Sequence, residues 1–120
     1  PKIAFPESYQ WFGPESWWSS ITIVNVSGST LPIDSIPCRG IGTAASTSVD
    51  LTWKNPAPVA DGEGWITDLF RGWGPLPDGF QGGIMCEASG DILGTLNNLG
   101  DSLPEDMDSY TLYEGINIAP

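Results

Sequence analysis

Ser16-Trp-Trp-Ser-Ser-Ile-Thr-Ile-Val-Asn-Val-Ser27 is the stretch that decides the fold class of this 120-residue chain. It reads as one long β-strand with apolar side chains on both faces. Successive side chains of a strand point to opposite sides. Trp17, Ile21 and Ile23 therefore face one way and Trp18, Val24 and Val26 the other. A strand that is apolar on both sides must be covered on both sides, by its own domain or by another molecule.

Outward from that strand the pattern stays β. Ser46 to Trp53 alternates cleanly, with Thr47, Val49, Leu51 and Trp53 on one side and Ser48, Asp50, Thr52 and Lys54 on the other, which predicts a strand with one buried and one wet face. Phe80, Ile84 and Cys86 alternate with Gln81, Met85 and Glu87, and Ser89-Gly-Asp91 predicts a hairpin that returns the chain through Ile92 to Leu96. Trp65 to Phe70 predicts a short strand leading into a helical turn. Leu31, Ile33 and Ile36 are interrupted by Pro32 and Pro37, which predicts an edge or an irregular crossing. Pro6 and Pro14 bracket an expected loop carrying Glu7, Tyr9, Trp11 and Phe12. Fifteen glycines and eleven prolines leave no helix-length apolar stripe. The expectation is a single domain over residues 1–120: an antiparallel β-sandwich, immunoglobulin-like or jelly-roll-like, of about seven or eight strands.

Charge and cysteine usage narrow the setting. Fifteen acidic against four basic residues give a formal net charge of −11, which disfavours nucleic acid and anionic membrane surfaces as partners. Cys38 and Cys86 are too far apart for a CxxC motif, and their apolar strand contexts predict one disulfide rather than two buried thiols. That bridge points to an oxidising compartment. No stretch approaches the roughly 20 apolar residues that span a bilayer, so no membrane insertion is expected. The sequence is expected to be the mature form, after signal-peptide removal, of an extracellular or cell-surface protein.

The pattern resembles a group of secreted bacterial β-sandwich modules found in surface and extracellular proteins. The residues that carry the resemblance are Phe5-Pro6, Trp18 with Ile21 to Ser27, Trp65 to Phe70, and Leu76 to Gly82. Pro32 to Thr43 departs from it, with prolines and Cys38 where a regular strand is expected. The resemblance implies the sandwich fold and an extracellular setting, and brings no catalytic residues.

The chemistry-bearing groups are sparse. Histidine is absent, which removes the commonest general base and metal ligand, and no serine sits in a nucleophile elbow. A hydrolase built on two carboxylates would use Asp61 with Glu63, or Glu105 with Asp108. Two acids in a turn are more often a solvated loop, so no enzyme is expected. Asp101, Glu105, Asp106 and Asp108 offer four carboxylates to a calcium ion, without EF-hand spacing. Among six tryptophans, Trp11, Trp18 and Trp73 fall in or beside loops and are candidates for stacking against polysaccharide. Trp53 and Trp65 fit the core. Asn25-Val-Ser27 is a glycosylation sequon, read instead as a strand-end hydrogen-bonding residue.

Both ends carry apolar alternation, Ile3 and Phe5 at one and Ile116 and Ile118 at the other. Folded back, each completes its own sandwich. Reaching out, the N-terminal (1–15) or C-terminal (115–120) segment would pair with a neighbour's sheet edge, and head-to-tail repetition makes a filament. The leading expectation is a non-enzymatic structural subunit that self-assembles into a filament or surface layer by strand exchange. Its subunit contacts would be Ile3, Phe5, Trp11, Trp18, Trp73, Ile116 and Ile118. The alternative is a carbohydrate-binding module using exposed tryptophans.

Overall fold

The computed structural model describes residues 1–14, 16–68, 74–100 and 110–118. Its strands are β1 (Lys2–Gln10), β2 (Trp17–Asn25), β3 (Cys38–Ala44), β4 (Thr47–Trp53), β5 (Gly64–Asp68), β6 (Phe80–Glu87), β7 (Ile92–Gly100), β8 (Tyr110–Glu114) and β9 (Ile116–Ile118). They make two antiparallel sheets, one of five strands in the order β4-β3-β6-β1-β9 and one of four in the order β5-β2-β7-β8. The chain is thus an antiparallel β-sandwich, as its alternation predicts. Its count runs past seven or eight because β8 and β9 are two halves of one extended tail that changes sheets at Gly115. Among the described residues no helix is long and apolar enough to cross a membrane.

In β2 the predicted alternation is explicit. Ser19, Ile21, Ile23 and Asn25 are buried, while Trp18, Ser20, Thr22 and Val24 are half-covered on the other face. Ile21 and Ile23 meet Ile3, Phe5, Ile84 and Leu96 in the core between the sheets. Phe5 fills the space that two glycines leave: a Cβ at Gly94 would lie 2.6 Å from its Cζ, and one at Gly115 would lie 2.8 Å from its Cε1. Trp53 and Trp65 pack against this core, as expected. The disulfide forms as predicted. Cys38 and Cys86 are directly opposed on β3 and β6, and both are fully buried.

Three elements differ from expectation. The segment after Pro6 is not a loop, because β1 continues to Gln10 through a bulge between Phe5 and Ser8. The extra residue resets the alternation, so Ile3 and Phe5 point inward before it and Ser8 and Gln10 after it. Proline, which has no N–H to give the ladder, is tolerated at such a site. Ser89-Gly-Asp91 is not a hairpin either, since β6 and β7 belong to different sheets. Gly90 is small there because a Cβ would lie 2.5 Å from Ser27 Cβ, not because the turn needs positive φ. A tight hairpin joins β3 to β4 instead, through Ala45 and Ser46 with φ of 48° and 67°.

The two ends fold back. β1 lies between β6 and β9, with Ala4 paired to both Met85 and Ile116. Ile3 is 1% and Phe5 0% exposed, so within the folded chain neither presents a surface to a neighbour. A strand this deeply inserted could be exchanged only by opening the five-stranded sheet.

Candidate functional site

A layer of polar side chains is buried where β1 crosses from one sheet to β2 in the other. Ser8, Gln10, Ser19 and Asn98 are all nearly inaccessible. Ser19 Oγ accepts the Tyr9 N–H at 2.8 Å and donates to Asn98 Oδ1 at 2.6 Å. Asn98 Nδ2 donates to the Glu7 carbonyl at 3.2 Å, and Ser8 Oγ donates to the Phe5 carbonyl at 3.1 Å. Polar groups buried with partners cost little, whereas each left unpaired would cost about 1–3 kcal/mol. The network therefore fixes the β1 bulge against β7, and with it the position of Glu7.

Above that layer lies a cleft of about 430 Å³ bounded by Glu7, Tyr9, Phe12, Trp17 and Asn98 with the Gly13-Pro14 turn. Phe12 and Trp17 exchange backbone hydrogen bonds of 2.8 Å in both directions, which closes the connection between β1 and β2. The rings of Tyr9 and Phe12 stack with centroids 5.4 Å apart and planes 17° from parallel. Burial, and secondarily the charge of Glu7, push the Tyr9 phenol above its ordinary pKa of 10.0, so it stays a neutral donor. Trp11 and Ser16 hold left-handed φ of 49° and 53° on either side of this turn. That conformation is unusual for a bulky residue and marks a backbone over-determined by its surroundings. Flat apolar faces with a carboxylate and an amide at their margin are the components that grip a sugar ring.

The residues singled out from sequence are dispersed. Trp11 is half-buried beside the cleft without lining it, and Trp18 stands on the outer face of the four-stranded sheet. Ile116 is exposed on the outer face of β9. Trp73, the side chain of Ile118, and Asp101, Glu105, Asp106 and Asp108 lie outside the described residues. Asp61 Oδ1 accepts the Gly28 N–H at 2.9 Å and Glu63 Oε2 the Ala60 N–H at 2.7 Å, so this carboxylate pair braces turns. Asn25 is fully buried, donating to the Ser29 and Val59 carbonyls and accepting the Ser27 N–H, the strand-end role expected of it. Among the described residues no three metal-ligating side chains gather.

Tyr9, Phe12 and Trp17 are not among the candidates that the sequence singles out. The available signal was a concentration of aromatics on both sides of Gly13-Pro14. The loop expected over residues 6–14 hides it, and the sequence sets Trp17 only on one side of its strand with Ile21 and Ile23. Trp17 does share their side of β2, but it sits at the strand's first position, where that side opens into the cleft.

On the outer face of the four-stranded sheet, Thr22 pairs with Ile66 and Val24 with Leu93. Ile66 is 63%, Leu93 56% and Val26 43% exposed. The second face of β2 is thus only partly covered by its own molecule.

No family model and no curated protein matches the chain. Among solved structures, the crystal structure of Thermotoga maritima 1070 aligns with a TM-score of 0.63 at 16% sequence identity, covering 96% of this chain and 91% of that one. At that identity the likeness is one of fold alone, and it places nearly the whole chain within a single known backbone path.

Proposed function

We propose that this chain is a non-enzymatic extracellular module that binds carbohydrate in the cleft between β1, β2 and β7. The observation that carries this reading is the cleft itself: the stacked Tyr9 and Phe12 rings face a volume of about 430 Å³ shared with Trp17, Glu7 and Asn98. Pyranose rings present axial C–H groups to aromatic faces and hydroxyls to carboxylate and amide neighbours. The disulfide supports an oxidising compartment, and the resemblance to secreted bacterial modules supports the same setting. Titration with a panel of oligosaccharides while following tryptophan emission tests the reading. A binding sugar should shift the emission, and Trp17→Ala should weaken binding at least tenfold while leaving the melting temperature within a few degrees. An unmoved spectrum across the panel removes it.

A second reading, self-assembly into a filament or layer, is favoured by a different observation. Val26, Ile66 and Leu93 leave an apolar strip across the outer face of β5, β2 and β7. Assembly in this reading proceeds through sheet faces, because the terminal strands proposed for exchange are paired within the chain. Native mass across a concentration series distinguishes a monomer from an open-ended series.

A further inference from the structure

The aromatic cleft adjoins a second depression along β1. This one, of about 300 Å³, is bounded by Pro6 and Tyr9 of β1, Gln81 and Gly82 of β6, and Thr43 of β3. Glu7 and Tyr9 border both, so a ligand that leaves the cleft over Tyr9 enters the second depression directly. There it meets the outer face of the five-stranded sheet. Antiparallel pairing sets Ser48, Thr43, Gln81 and Tyr9 side by side on β4, β3, β6 and β1. The first three are exposed. Three inter-strand spacings make this row about 14 Å long, and it ends at the ring that stacks on Phe12. Hydroxyl and amide side chains both donate and accept hydrogen bonds, as sugar hydroxyls do.

The neighbouring row supplies apolar contact and room. Ile41, 43% exposed, pairs there with Gly83. Nothing in the described chain requires glycine at that position. The φ of Gly83 is not positive, and a Cβ would meet the Phe5 carbonyl oxygen and Pro6 Cα at 3.9 Å, an ordinary contact distance. Gly42 and Gly82 differ, because a Cβ on either would run into the backbone of the facing strand. Glycine inside a strand weakens it and marks places where another group comes close to the backbone. At Gly83 that approach is left to a ligand.

We infer that the carbohydrate site continues from the aromatic cleft over Tyr9 and across the outer face of β6 and β3, so that its ligand is a linear oligosaccharide chain laid along the row from Tyr9 to Ser48. This rests on the carbohydrate reading above and specifies its ligand as a chain of several residues, not a single sugar. Rings in the cleft stack on Tyr9, Phe12 and Trp17, and the rings that follow take hydrogen bonds from Gln81 and Thr43 with Ile41 at their flank.

Calorimetric titration of the full chain with β-1,4-linked oligomers of glucose, of mannose and of N-acetylglucosamine, each two, four and six residues long, tests it. In a series that binds, six residues should bind roughly tenfold tighter than two. Gly83→Val, which raises a side chain beside Pro6, should remove that gain and leave the two-residue affinity within about twofold. Its melting temperature should equal or exceed that of the wild type, because valine favours strands and glycine does not. Gln81→Ala subtracts an amide at an exposed position without adding bulk, and should lower the six-residue affinity several-fold even if Gly83→Val fails to fold. Affinity that does not rise with length, or a gain that survives both variants, overturns the inference while the carbohydrate reading of the cleft stands. A native mass above the monomer that Gly83→Val returns to the monomer would show that the groove receives a second copy of the chain, and would overturn the ligand assignment. Failure of every oligomer to bind removes the carbohydrate reading itself.

Discussion

Two buried asparagines, Asn25 and Asn55, hold the irregular parts of this sandwich. Asn55 accepts the Ile36 N–H at 2.8 Å and donates to the carbonyls of Pro32 at 2.9 Å and Ala57 at 2.8 Å. Prolines make the segments on both sides of it unable to build a ladder, so one amide takes the place of a strand partner. Asn55→Ala takes the partner from the Ile36 N–H and the Ala57 carbonyl, while the Pro32 carbonyl still accepts from Ser35, and it should lower unfolding stability by about 3 kcal/mol in urea titrations. Tyr9 supplies a prediction with a definite sign. Its folded pKa is raised above 10.0, first by burial and then by Glu7. The folded state therefore binds more protons than the unfolded one once pH passes 10, and stability present below that point is lost as pH rises through the folded value. Thermal melts between pH 8 and 11 should fall more steeply for the wild type than for Tyr9→Phe, which has no proton to lose. Identical slopes would mean that Tyr9 is as well solvated in the folded chain as in the unfolded one.

At the scale of elements, the β3–β4 hairpin carries an avoidable cost. Its two turn residues, Ala45 and Ser46, both take positive φ, the geometry of a type I′ turn, which asparagine and glycine adopt with far less strain. Replacing Ala45 with Asn and Ser46 with Gly should raise stability by about 1 kcal/mol, or roughly 4 °C in melting temperature for a chain of this size. An unchanged or lower melting temperature would show that the L-residues are not strained there. The same turn shows what a sequence conceals. β2 is legible because parity alone separates its faces, as Ile21 and Ile23 demonstrate. β4 is legible as a strand but not as a buried face: on this edge strand Val49 is buried, Trp53 is half-covered, and Thr47 and Leu51 are exposed. Ala45-Ser46 carries no turn signature, so only the pairing of Ala44 with Thr47 reveals it. Gly90 carries a strong signature for the wrong reason, since glycine answers equally to positive φ and to lack of space, and here Ser27 leaves no space. Pro6 looks like a stop, yet a bulge accommodates it and reverses the parity beyond. The candidate site lies in that blind region: Glu7 is in the bulge and Tyr9 follows it, and Trp17 keeps the parity of core residues while lying past the core's end.

For the whole molecule, the disulfide and the surface charge act in opposite directions. Cys38 and Cys86 close a span of 48 residues between neighbouring strands, a constraint on the unfolded chain worth about 4 kcal/mol by the loop-entropy estimate. The double variant Cys38→Ala with Cys86→Ala should lose about that much in a denaturant titration, and reductant should have no further effect on it. Against this, a net charge of −11 on 120 residues favours separation of the chain from itself and of copies from one another. The apolar strip of Val26, Ile66 and Leu93 favours their approach. Salt decides between the two, because raising ionic strength from 0.1 to 1 M shortens the screening length from about 10 Å to about 3 Å and leaves apolar contact undiminished. If that strip joins copies, sedimentation velocity should give a monomer near 0.05 M NaCl and larger species at 1 M. Leu93→Glu, which sets a carboxylate on the β7 side of the strip, should keep the protein monomeric at both. A wild-type monomer at 1 M and high protein concentration would reject assembly through this face.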